Sequence, residues 1–135
     1  MHFKLCLSCP DDLNGFSLGR IDFVTSKLEC SQDDEKLPRS YMVFVELTAV
    51  ADFLRNCTVE GTPGRYQLPN GDVIAFKPGS HHVAFEVGGG TANVSTNVVL
   101  KEIELLLSKS AEILSEADPL SPVLEDIVTL IQRRS

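Results

Sequence analysis

The chain has 135 residues, with 12 Lys plus Arg against 19 Asp plus Glu and a formal net charge of −7. That length fits one domain, and 43% hydrophobic residues supply a core without help from disulfides or a structural metal, which excludes wholesale disorder. An acidic chain of pI about 4.8 is poorly matched to nucleic acids, whose binding draws on Lys and Arg at phosphates.

No apolar stretch reaches the roughly 20 residues that span a bilayer. The start, Met1 to Cys6, runs into Pro10, Asp11 and Asp12, too early and too polar for a signal peptide. The expectation is a cytoplasmic protein.

The first third reads as strands. Phe3, Leu5 and Leu7 alternate with Lys4, Cys6 and Ser8, the period-2 pattern of a half-buried strand. Pro10 to Gly15 supplies turn residues. Phe16 to about Cys30 is extended in character, with its alternation broken near Gly19-Arg20, where a bulge or a kink is expected. The two strands are expected to pair antiparallel.

Gln32 to Lys36 is a polar loop closed by Pro38. Ser40 then reads as an N-cap for a helix over Tyr41 to Asn56, with Val43, Leu47, Val50 and Leu54 at helical spacing and Phe44, Ala51 and Phe53 widening the stripe. So apolar a helix should lie deep against a sheet. The β-branched run Val43 to Val45 argues the other way.

Gly61 to Val94 returns to strands. Pro69-Asn70-Gly71-Asp72 signals a hairpin, for which a type I′ turn is expected, between Arg65–Leu68 and Val73–Lys77. His81, Val83, Phe85 and Val87 alternate with His82, Ala84 and Glu86 on a further strand, which Gly88-Gly89-Gly90 ends. From Ser95, Thr96 or Asn97 a helix runs to about Ala117, with Val99, Ile103, Leu106, Leu107, Ser110 and Leu114 on one face. Asp118-Pro119 stops it. Ser121-Pro122 is an N-cap and N1 pair, opening a short helix whose Leu124, Ile127, Val128 and Ile131 should face the core.

The expected fold is therefore α+β: one domain over residues 1–135, with an antiparallel sheet of about five strands, a buried central helix and two C-terminal helices.

Motifs that carry chemistry are weak. Cys6-Leu7-Ser8-Cys9 has the CxxC spacing of redox motifs and of half a zinc site. Yet Cys9 leads into Pro10 and an acidic turn, and neither Cys30 nor Cys57 belongs to a second such pair. Structural thiols are the favoured reading, as free Cys is among the most buried residue types, and a small zinc-binding or redox protein using Cys6 and Cys9 is the alternative. Adjacent strand residues point to opposite faces, so His81 and His82 are not expected to share a metal or a proton. Gly88-Gly89-Gly90-Thr91 lacks the Lys-Ser or Lys-Thr that would open a helix in a P-loop, and reads as a turn between a strand and the C-terminal helices. No catalytic residue, metal ligand or cofactor is assigned.

Acidity is the remaining feature. Between Lys101 and Asp126, seven acids face two lysines, a local net charge of −5, and Asp33-Asp34-Glu35 forms a second patch. Such residues commonly form a solvated face; as a function they suit a basic protein partner, whose approach a complementary field accelerates.

Pro38 to Leu47 running into Asp52-Phe53-Leu54-Arg55, then a strand region with Ser80 and Phe85, then a long helix and a short last one after Asp118-Pro119-Leu120-Ser121-Pro122, resembles the layout of small bacterial immunity-like proteins. In those proteins the Ser and Phe of the strand region look exposed. The resemblance implies binding rather than catalysis: neutralisation of a cognate toxin, often a basic protein, by covering it. The partner contacts are expected at Asp33, Asp34 and Glu35, in a loop where binding residues collect, and at Glu86, the outward residue of its strand.

Overall fold

A computed structural model describes residues 2–8, 11–24, 40–77, 79, 81–87 and 90–133. Among the described residues seven strands and three helices follow one another as β1 (His2–Leu7), β2 (Leu18–Val24), β3 (Tyr41–Met42), α1 (Val43–Glu60), β4 (Gly64–Gln67), β5 (Val73–Lys77), β6 (His82–Val87), β7 (Gly90–Ser95), α2 (Thr96–Ala117) and α3 (Pro122–Gln132). The fold is α+β and every strand pairing is antiparallel.

The strands form two sheets where the sequence suggested one of about five strands: β1-β2-β3, and the meander β4-β5-β6-β7. The reason lies in α1. Its Val43, Phe44, Leu47, Val50, Ala51, Leu54 and Cys57 are all buried, so it needs cover on more than one side. It packs on β2 and β3 of the first sheet and on β4 of the second. Helix α2 likewise bridges the sheets, touching β1 in one and β6 and β7 in the other. Where the sheets meet, Phe3 stands edge-on to Phe23 at 4.8 Å between ring centroids, and Phe85 approaches Phe23 at 5.0 Å and Phe3 at 5.8 Å. Phe85 is fully buried. Burying such an aromatic side chain is worth about 2–3 kcal/mol.

Several local expectations are corrected. The bulge at Gly19-Arg20 is absent: the β1–β2 register runs unbroken from His2 opposite Val24 to Leu7 opposite Gly19. Glycine is needed there for another reason, since a Cβ at Gly19 would stand 2.3 Å from the Cys6 carbonyl oxygen. The beginning of α1 is also shifted. Tyr41 and Met42 pair with β2, and the Val43 N–H is satisfied by the Ser17 carbonyl at 3.2 Å. Ser40 is not the cap; its hydroxyl meets that of Ser8 at 3.3 Å. Val43 to Val45 are nonetheless helical, because core packing outweighs the small propensity cost of β-branching. The helix ends at Gly61, whose φ of 66° is the left-handed C-cap conformation that glycine adopts without strain.

The β4–β5 connection is not a type I′ turn. Gly71 N–H bonds to Leu68 O at 2.9 Å and Leu68 N–H to Asp72 O at 2.8 Å. The positive φ (97°) falls on Gly71 while Asn70 keeps a negative one, the three-residue loop with a glycine bulge. Pro69, with φ fixed near −65°, favours that form. The glycine run leads not to the C-terminal helices, as expected, but to a further strand: Gly90 pairs with Val87 and opens β7. His81 lies before β6 with φ 57°, so only His82 of the pair is on the strand.

The C-terminal helices follow their sequence pattern closely. The buried face of α2 is Val99, Ile103, Leu106, Leu107, Ser110 and Leu114. Ser121 caps α3, its Oγ accepting from Val123 N–H at 3.2 Å. The core face of α3 centres on Val123, Ile127 and Leu130, with Leu124 and Ile131 partly buried against the same core; of the four residues expected to face it, Val128 is the exposed one.

Candidate functional site

The residues expected to bind a partner are only partly placed. Asp33, Asp34 and Glu35 lie outside the described residues, as do Cys9, Cys30 and Ser80. Glu86 stands on the outward face of β6, about half exposed, and its carboxylate is 3.7 Å from the Arg65 guanidinium on β4. The two side chains reach over β5, where Ala75 leaves room between them. At that exposure an ion pair is worth under about 1 kcal/mol. Glu86 therefore presents half of a mixed-charge pair. Val83 and Phe85, its neighbours on the strand, are buried as their alternation required.

The outer face of the three-stranded sheet holds a more distinctive arrangement. Strand alternation puts Leu18, Arg20 and Asp22 on one side of β2, away from the buried Ile21 and Phe23. Arg20 Nε lies 2.7 Å from Asp22 Oδ1, with both side chains about nine-tenths buried. Asp22 Oδ2 in turn accepts from the Cys6 thiol at 2.9 Å across the β1–β2 pair. A carboxylate so placed is held by a charge-assisted bond from Arg20 and a weak one from the thiol.

Beside this polar group, Leu18 stands directly opposite Met42 of β3. Leu18 is 52% exposed, Met42 46%, and Phe16, two residues before Leu18, 55%. Two large apolar side chains paired across β2 and β3, on the face that holds a buried Arg, have the composition of a protein-interface core. The alternation carried a signal for it: Leu18 shares its face with Arg20 and Asp22, so an apolar residue occupies a polar-face position.

A cleft of about 250 Å³ between α1 and α3 is lined by Thr48, Ala49, Asp52, Asp126, Thr129, Leu130 and Arg133. Helical periodicity brings its two carboxylates onto facing helices. Arg55 of α1 joins the same two helices, donating from Nη1 to the Leu130 carbonyl.

Two tyrosines tie the first residues of α1 and the sheets together. Tyr41 is buried and its hydroxyl accepts from Ile21 N–H at 2.8 Å; burial pushes its pKa well above the ordinary phenol value. Tyr66 on β4 donates to the Glu46 carboxylate on α1. Burial, and then that bond to an anion, likewise raise its pKa. Cys57 is buried, and its thiol pKa is pushed up by burial and then by Glu60, the opposite of an activated nucleophile. Among the described residues no three His, Cys, Asp or Glu are grouped to hold a metal ion, and no helix is long and apolar enough to cross a membrane.

Set against protein-family models, curated proteins and solved structures, the chain matches none.

Proposed function

We propose that this chain is a protein-binding protein of the immunity type, acting in the cytoplasm by stoichiometric capture of a basic partner rather than by catalysis. The observation that carries the reading is the outer face of β2 and β3, where Leu18 and Met42 stand directly opposite each other and are each about half exposed, with Phe16, also about half exposed, two residues before Leu18 in the chain. Grouped exposure of large apolar side chains has a cost in solubility that a soluble chain offsets by using the patch. The net charge of −7 supports a basic partner, because a complementary field speeds encounter while the apolar patch holds the complex. The carboxylates Asp52 and Asp126, and Glu86 with Asp33, Asp34 and Glu35, then act mainly on the association rate.

The test uses the tagged full chain as bait in its source cells, beside Leu18→Asp combined with Met42→Asp. Both positions are exposed, but the two new carboxylates stand directly opposite each other and repel, so the double variant is compared once its thermal midpoint shows it folded. The expected result is one basic protein retained near 1:1 by the native chain and lost by the double variant. Reversal of Glu86 to Lys should instead slow association and weaken its salt dependence. A folded double variant that keeps the same partner would overturn the placement, and the absence of any partner at equimolar level would overturn the function.

A further inference from the structure

We propose that the free edge of β1 and the adjoining face of α2 form a groove that takes an extended acidic segment of another protein as an added strand. Strand β1 is an edge of its sheet. The bond from Ser8 N–H to Leu18 O at 3.0 Å fixes which backbone groups face β2: those of Lys4, Cys6 and Ser8. The N–H and C=O groups of Phe3, Leu5 and Leu7 therefore point away from it. Phe3 N–H shows what this edge accepts, because it already donates to a carboxylate, Glu102 Oε1 of α2, at 3.3 Å. Among the described residues nothing pairs with the edge beyond that contact.

The space beside the edge is a cleft of about 310 Å³ lined by Phe3, Lys4, Leu5, Glu102, Leu105, Leu106 and Lys109. Its floor is apolar, and Leu105 is 57% exposed. A strand laid along β1 would turn alternate side chains toward Leu105 and Leu106 and the others toward the face that carries Lys4. The cleft carries two cations, Lys4 and Lys109, and one anion, Glu102, whose carboxylate the Phe3 N–H holds; its local charge is positive in a chain whose overall charge is negative, so the segment that fits alternates apolar with acidic residues. Main-chain bonds to Leu5 and Leu7 give affinity, and the two lysines give the charge preference.

The probe is an acetylated, amidated hexapeptide of alternating Asp and Val, compared with its Lys–Val counterpart on the full-length protein. Amide exchange by NMR should slow at Leu5 and Leu7 with the Asp–Val peptide. Leu105→Asp should weaken binding at least tenfold, whereas Leu120→Asp, on an exposed residue outside the groove, should leave it unchanged. Lys4→Glu combined with Lys109→Glu should reverse the preference, so that the Lys–Val peptide now binds better. Equal binding of the two peptides to the native chain, unchanged exchange at Leu5 and Leu7, or indifference to Leu105→Asp in a folded variant would each overturn the proposal.

Discussion

The Gly15 N–H donates to Asp118 Oδ2 at 3.0 Å, joining the turn before β2 to the junction of α2 and α3, 103 residues further along. The approach is close on the side-chain side as well: a Cβ on Gly15 would stand 2.0 Å from Ser121 Oγ and 3.1 Å from Val123 Cβ. Ser121 cannot yield freely, because its Oγ caps α3. The N-terminal turn and the last helix are thus fastened to each other through one glycine.

Replacing Gly15 by Ala should destabilise the protein by about 1–3 kcal/mol, from overpacking together with a weakened cap. Gly19→Ala should cost more, because its Cβ would meet a backbone oxygen at 2.3 Å and only separation of β1 from β2 relieves that. Urea titration reads both as a lower midpoint at unchanged slope. A midpoint for Gly15→Ala equal to the native one would remove the argument.

Ser110 is fully buried on the core face of α2, and its Oγ has no hydrogen-bond partner. An unpaired buried hydroxyl costs about 1–3 kcal/mol, and alanine is the better helix former. Ser110→Ala should therefore raise the thermal midpoint, by about 2–5 °C for a gain near 1 kcal/mol in a chain of this size. A lower midpoint would mean that the hydroxyl is satisfied in solution.

Stability should fall at alkaline pH. The chain has two tyrosines, and both hold their protons in the folded state above the ordinary value of 10.0. An unfolded chain loses those protons near pH 10, so above it the unfolded state binds fewer protons than the folded one and stability declines with rising pH. Below pH 10 the contribution is complete and flat. Denaturation midpoints measured from pH 8 to 11 should fall less steeply for Tyr41→Phe combined with Tyr66→Phe than for the native chain; parallel curves would contradict the assignment.

Much of the local structure was legible because it depends on neighbours in sequence. The alternation of Phe3, Leu5 and Leu7, the stripe from Val99 to Leu114, the Ser121-Pro122 start and the inward Val83 and Phe85 each express a period of 2 or 3.6 against one apolar surface, and that period is written in the chain itself. The acidity that motivates a basic partner is equally a property of composition.

The tertiary structure decided what depends on residues far apart. It split the strands into two sheets, because α1 is apolar around most of its girth and no local signal counts how many layers a helix requires. It moved the beginning of α1 past Ser40, because the Ser17 carbonyl, not a side chain, takes the Val43 N–H. It paired Glu86 with Arg65 across β5, turning an expected lone charge into half of an ion pair. It also set Leu18 opposite Met42, residues 24 positions apart, and so made an apolar patch of side chains that are individually unremarked. Register across a sheet is fixed by pairing energies summed over many residues, so the sequence determined the elements and the charge while the folded chain alone decided which side chains share a surface.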